Sequence, residues 1–310
     1  MVSTQVSKRA ADRAKLADRL GSTTVMICGA SLILLTITIG GFLLWKGLDT
    51  FTVFGHSVWE FLFSSDWSPV SNLDSTTSGS VGAAIFIAGS LITCLLGLLI
   101  AVPFSIGAAV FITEIRPDVG ERLFRPAVEL FLGIPSVVYG WIGLTILVPF
   151  INKLFKAPAL GFSVLAAGIV LAVMIFPTIT TVSADAIRAV NDDYRMGAYG
   201  LGSTRWQVIY RVVLPAARTG ILTGIILGLA RAFGEALAVA MVLGKMQSFP
   251  HSILDSTSSL TTKISSEMAE ASPGSEMEAG LWTMGLLLFF ISIFFIMLIH
   301  MISWKRTKSE

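Results

Sequence analysis

The sequence predicts an all-α polytopic membrane protein of about six transmembrane helices, and three observations carry that reading. Of 310 residues, 54% are hydrophobic and 14% charged, with a mean hydropathy of +0.78, outside the usual balance of a soluble domain. Six stretches supply the roughly 20 mostly apolar residues that a spanning helix needs. The basic residues fall unevenly on the connections between them.

The first stretch, Thr23 to Leu44, follows the basic segment SKRAADRAKLADR within residues 1–22. Its apolar run is longer than a signal-peptide core and no small-residue cleavage site follows, so it reads as an uncleaved anchor. The remaining stretches are Ser80 to Val102 (running on to Thr113), Ala127 to Phe150, Phe162 to Val182, Gly220 to Leu243 and Leu281 to Ser303. With the N-terminus inside, the N-terminal segment, the second connection (Arg116, Arg122, Arg125), the fourth (Arg188 to Arg218) and the tail at 305–310 hold sixteen Lys and Arg, and the outer connections only five. The bias predicts both termini in the cytoplasm and a membrane domain over 23–304. One basic residue of the 22 belongs to neither side: Arg231, within GLARAFGEALAV.

Other side chains exclude whole classes of chemistry. Cys28 and Cys94 lie in predicted spans, where packing is their expected role. His56, His251 and His300 are scattered, and no His, Cys, Asp or Glu group has metal-ligand spacing. No G-x-x-x-x-G-K-[ST] loop is present, so the chain is expected not to hydrolyse nucleotide and to carry no cofactor of its own. A net charge of +2 offers no basic stripe for nucleic acid.

Two outer segments are long. Residues 49–79 contain WEFLFSSDWSP, whose aromatics suit a membrane interface, and residues 245–280 are rich in Ser, Thr and Glu. Each reads either as a solvated loop or as a receptor for an extracytoplasmic partner. The inner connection 183–219 carries DDYRMGAYGLGSTRWQVIYRVVLPAA, which reads as a helix ended near Gly202, a Ser203/Thr204 cap, a second short helix and a stop before Pro215.

Gly202, nine residues, then Val212-Val213-Leu214-Pro215 resembles the cytoplasmic coupling loop of ABC importer permeases, written E-A-A, three residues, G, nine residues, I-x-L-P. The first three positions fall on Met196, Gly197 and Ala198; only the alanine matches, and methionine stands where the family carries glutamate. LGIPSVVYG (Leu132 to Gly140), AVPFSIGAAVFITE (Ala101 to Glu114), IFPTI (Ile175 to Ile179) and GLARAFGEALAV are similar to the permeases of bacterial phosphate ABC importers. The long first outer loop with FLFSSDWSP is similar to the PstC type. The resemblance implies the type I ABC importer permease architecture in the bacterial plasma membrane. It also implies three kinds of partner: a homologous PstA-type permease, two PstB-type ATPases holding ATP and magnesium, and an extracytoplasmic PstS-type phosphate-binding protein.

Arginine at bilayer depth costs between roughly 2.5 and well over 10 kcal/mol depending on the reference, so it must face protein or water. On a continuous helix at about 100° per residue, Gly220, Gly224, Gly228, Arg231 and Glu235 share one stripe, and the glycines let another helix approach closely. The expected place for that face is the seam between subunits. Two readings stay open: an Arg231–Glu235 pair at i,i+4 that pins helices together, or an anion pathway in which the guanidinium fork meets phosphate oxygens. On the second, Glu235 favours phosphate, which still carries a proton at neutral pH, over sulfate, which does not. A permease for sulfate or molybdate is the alternative of the same architecture. An ion-coupled transporter or a membrane sensor are the alternatives of other classes.

Overall fold

A computed structural model describes residues 2–70 and 79–307, the side chains of 2–17, 19, 20, 299, 300 and 302–307 excepted. The expectations for positions 71–78 of the first outer loop, and for the side chains of the basic segment and tail, lie outside the described residues. Six helical stretches are long and apolar enough to span a membrane.

α1 (Val2–Gly47) carries the basic segment straight into the first span. Residues Val25 to Ile37 expose their apolar side chains, and the helix meets the rest of the chain toward its C-terminal end, where Gly40 faces Phe289 and Gly47 faces Leu286. A cap follows: α2 (Asp49–Thr52), α3 (Val58–Phe63) and a two-residue hairpin pairing β1 (Trp67–Ser68) with β2 (Ser80–Val81) antiparallel. The aromatics of WEFLFSSDWSP divide between two environments. Trp59 and Phe63 are exposed, as expected for an interface, but Phe61 and Trp67 are buried with Phe86, Leu281 and Met284 in a core of the cap's own. Alternation along a short run of helix and strand places neighbours on opposite faces, which composition does not reveal.

α4 (Ala84–Val110), closed by a π turn through Ile115, is the second span, and α5 (Pro117–Val119) leads out of it. The third predicted span, Ala127 to Phe150, is corrected: it is broken. α6 (Arg125–Gly133) stops, Ile134 and Pro135 are extended, and α7 (Ser136–Ile142) and α8 (Val148–Phe155) follow, joined by a π turn. Pro135 cannot donate to the Phe131 carbonyl four residues earlier. Tyr139 replaces the lost donor, its hydroxyl bonding that carbonyl at 2.8 Å, as an apolar setting requires.

α9 (Val164–Arg188) is the most buried span and lies at the centre. Close packing needs small residues where backbones meet: Gly97 of α4 lies against Leu171, and Gly168 of α9 against Leu96. α10 (Asp192–Gly200) and α11 (Arg205–Val208) form the inner connection. α12 (Leu214–Phe233) and α13 (Leu237–Leu243) replace the single fifth helix expected from Gly220 to Leu243. α14 (Leu260–Glu267) lies in the second long loop, and α15 (Glu276–Thr307) is the last span.

The stop expected before Pro215 is also corrected. α11 runs through a π turn, Ile209–Val213, directly into α12, with Pro215 in its first turn. Proline in a regular helix clashes with the carbonyl four residues back; one wider turn removes the clash and lets the helix continue. α9 runs on to Arg188 and α11 continues into α12, so regular helix extends into both ends of the connection 183–219.

The loop 245–280 is not simply solvated. Ser256, Thr257, Ser258, Ser259, Leu260 and Thr262 are at most 4% exposed. Ser256 donates to the Leu243 carbonyl at 3.0 Å and Leu260 N to Ser90 Oγ at 2.9 Å, while Gly89 of α4 leaves room for the Ser258 backbone. Hydroxyl side chains let this polar segment satisfy its backbone while buried among helices. Lys263, 3% exposed, pairs with Glu267 and lies 5.6 Å from the Trp67 ring and 5.2 Å from the Phe86 ring, a desolvated cation held by a carboxylate and two π faces.

Candidate substrate pathway and coupling surface

The fifth span ends between its two charges. Gly234 caps α12, Glu235 and Ala236 lie outside regular helix, and α13 restarts at Leu237. Glycine weakens a helix interior, and the freed groups find local partners. The Glu235 carbonyl accepts from Thr261 Oγ1 at 2.8 Å, and its carboxylate Oε1 accepts from Ala238 N at 3.1 Å. Glu235 therefore leaves the stripe expected for a continuous helix. Arg231 remains on α12, and its Nη1 donates to Thr178 Oγ1 on α9 at 2.8 Å. Among the described residues Arg231 forms no ion pair, so the two charges are neighbours in sequence but not bonded partners.

The glycine stripe is filled by α9 of the same chain and not by a second subunit. A side chain at Gly220 would meet Ala186; at Gly224 it would lie 3.2 Å from Val182, and at Gly228 2.6 Å from Ile179. Three glycines bring α12 onto α9, and that approach seats Arg231 beside Thr178. Next to Tyr139, whose hydroxyl closes the break at Pro135, a side chain at Gly140 would lie 2.8 Å from Ala238 of α13. The segments LGIPSVVYG, IFPTI and GLARAFGEALAV thus meet at one partly buried locus.

The connection between α9 and α12 is ordered by its caps. Asn191 caps α10, and Thr204 forms a reciprocal capping box with Gln207 at the start of α11. Gly202 turns between them at φ +79°, a conformation glycine adopts without strain. Met196 and Leu201 are 69% and 89% exposed, beside exposed Tyr194, Tyr199 and Trp206. Gly197 has open space around it, while Ala198 and Leu214 pack against the core under the connection. An apolar patch of this kind marks an interaction surface.

Two residues that sequence reasoning did not single out anchor this surface. Arg195 Nη2 pairs with Glu114 at 2.8 Å and donates to the Ile187 carbonyl, while its Nη1 donates to the Val190 carbonyl and pairs with Asp192. Arg205 donates to the carbonyls of Glu114 and Ile115. Glu114 and Arg195 are 12% and 16% exposed, so the inner connection is clamped to the end of α4. The available signal was a lone carboxylate ending the apolar run AVPFSIGAAVFITE.

Gly202→Val is expected to strain the turn by about 1–3 kcal/mol without a clash, since nothing lies within 4 Å of the position. The complex should insert in the membrane normally but lose binding of its ATPase or the coupling of ATP hydrolysis to uptake. Normal co-purification together with normal uptake would overturn this.

Six spans, a connection clamped to the end of α4 and a charged break in the fifth span are features of a membrane permease. The chain belongs to the family of inner membrane components of binding-protein-dependent transport systems, which it matches over residues 101–308. It is 46% identical to the probable ABC transporter permease protein YqgH of Bacillus subtilis (strain 168), covering 92% of this chain and 91% of that protein. It is 36% identical to the phosphate transport system permease protein PstC of Pasteurella multocida (strain Pm70), covering 84% of each. Against PstC of Haemophilus influenzae the identity is 34%, covering 90% and 88%. In fold it is similar to a bacterial alginate ABC transporter solved with a pentasaccharide-bound periplasmic protein, at TM-score 0.59 and 16% identity, covering 90% of this chain and 94% of that one. A methionine ABC transporter in an inward-facing conformation gives TM-score 0.53 at 16% identity, covering 70% and 96%. The protein is a multi-pass ABC importer permease of the plasma membrane. As in its family, it works with ATPase subunits and a substrate-binding protein, and it is not itself the catalyst.

Proposed function

We propose that this chain forms half of the path by which inorganic phosphate is imported, with a PstA-type permease as the other half. Two PstB-type ATPases dock on the inner connection and carry ATP and magnesium, and a PstS-type phosphate-binding protein delivers from outside. Both termini are cytoplasmic. The carrying observation is Arg231: a permanent cation at the centre of the membrane domain whose contact is a neutral hydroxyl. A guanidinium so placed keeps donors for an oxyanion, and Glu235 nearby can accept the proton phosphate still carries. The names of the PstC relatives point to the same substrate. The exposed Met196 fits an apolar contact with the ATPase, in place of the polar contact a glutamate would make.

The complex of both permeases and the ATPases, reconstituted in vesicles with the binding protein, is expected to take up radiolabelled phosphate only with ATP. A large excess of sulfate or molybdate should leave that uptake unchanged. Uptake by this chain alone without ATP would sink the ABC reading, and strong competition by sulfate would replace phosphate with another oxyanion.

A further inference from the structure

Beside Glu235 lies a small cavity of about 10 Å³, room for one water-sized occupant, with Leu171, Phe233 and Val239 on its apolar side. Its walls bring together the hydroxyls of Ser90 and Thr93 from α4, those of Ser259 and Thr261 from the buried loop, and Glu235 from the break between α12 and α13. Most of these groups are committed. Ser90 Oγ accepts from Leu260 N, Ser259 Oγ accepts from Thr262 N, and Thr261 Oγ1 donates to the Glu235 carbonyl. Thr93 differs: it is 1% exposed, and its Oγ1 has no hydrogen-bond partner. A buried hydroxyl left unpaired is unfavourable, and valine would fill the same space without that cost. The hydroxyl at this position therefore calls for a partner outside the described chain.

We propose that this cavity is the closed form of a hydroxyl-lined oxyanion site, in which Thr93 donates to a phosphate oxygen while the Glu235 carboxylate accepts the P–OH hydrogen bond. The inference rests on phosphate being the transported ion. In the closed form the site admits nothing larger than water, because the segment from Ser256 to Thr262 covers it. That segment is tied down largely by hydroxyl-to-backbone bonds, Ser256 to Leu243, Thr257 to Ser248 and Thr261 to Glu235, and withdrawing it would widen the cavity. Hydroxyls suit this task because they donate to an anion without trapping it as a second full charge would. The pairing of neutral donors with one carboxylate selects an oxyanion that still bears a proton.

The test uses the reconstituted complex with its ATPases and binding protein, and radiolabelled phosphate. Thr93→Val should assemble as well as wild type and melt at the same temperature or higher, because an orphan hydroxyl is gone. Its phosphate uptake should fall about 10- to 150-fold, the worth of one hydrogen bond to a charged group, and Thr93→Ser should restore it to near the wild-type rate. Unchanged uptake in Thr93→Val would overturn the proposal. Poor assembly of Thr93→Val would overturn it too, since the hydroxyl would then be a structural partner. Failure of the wild-type complex to carry phosphate would instead remove the reading on which the site rests.

Discussion

Arg231→Ala is expected to abolish phosphate uptake while the complex still assembles and binds ATP. The mutation removes the one Lys or Arg within the apolar run 220–243, and with it the positive charge proposed to meet the anion. Its structural cost is small, because Arg231 is hydrogen-bonded to Thr178 and not paired with Glu235. The loss is one hydrogen bond from a charged donor, about 1.5–3 kcal/mol, and no carboxylate is left without its cation. Arg231→Lys should recover part of the uptake, keeping the charge but not the planar fork. The double mutant Arg231→Ala/Glu235→Ala distinguishes the two roles weighed for these charges. If they served only to neutralise each other, the double mutant would carry phosphate like wild type. If they serve the anion, it will assemble and be inactive. Uptake per assembled complex, for both single mutants and the double, decides between them.

The second large effect is expected at the clamp. Glu114→Ala leaves Arg195 partly buried with its main partner gone, a loss of about 3–5 kcal/mol for a fully buried pair and less at these exposures. Arg195 keeps Asp192 and the carbonyls of Ile187 and Val190, so the mutation unfastens α10, the helix that carries Met196, from the end of α4. The complex should reach the membrane, but ATPase binding should weaken or hydrolysis should run without uptake. Glu114→Asp, which keeps the charge, should retain part of the coupling. Full coupling in Glu114→Ala, measured as phosphate moved per ATP hydrolysed, would show the clamp to be dispensable.

Both effects depend on geometry that the sequence discloses unevenly. The glycines at 220, 224 and 228 announced a close helix approach, and the approach exists. Which helix makes it could not be read, because any apolar helix with small or flexible side chains satisfies a glycine face; the structure supplies α9. Arg231 stood out because a charge in an apolar run is costly. Its partner Thr178 did not stand out, since a threonine near a proline in a membrane helix is unremarkable until another helix brings a guanidinium to it.

The sequence by itself determined the class of fold, the existence of six spans, the sites of the charges and the turn at Gly202. Each follows from a local property: the length of an apolar run, the cost of a charge in lipid, or the freedom of glycine at positive φ. Only the tertiary structure decided that the third and fifth spans are broken, that Pro215 begins a helix instead of ending one, and that the polar loop 245–280 turns inward. The Pro215 outcome depends on one wider turn, and the other two on whether a distant donor exists for a freed carbonyl. Tyr139 supplies one for Phe131, Thr261 supplies one for Glu235 and Ser256 supplies one for Leu243. Within a membrane a backbone group can leave its helix only where such a partner is waiting, and sequence order does not say where the partner will be.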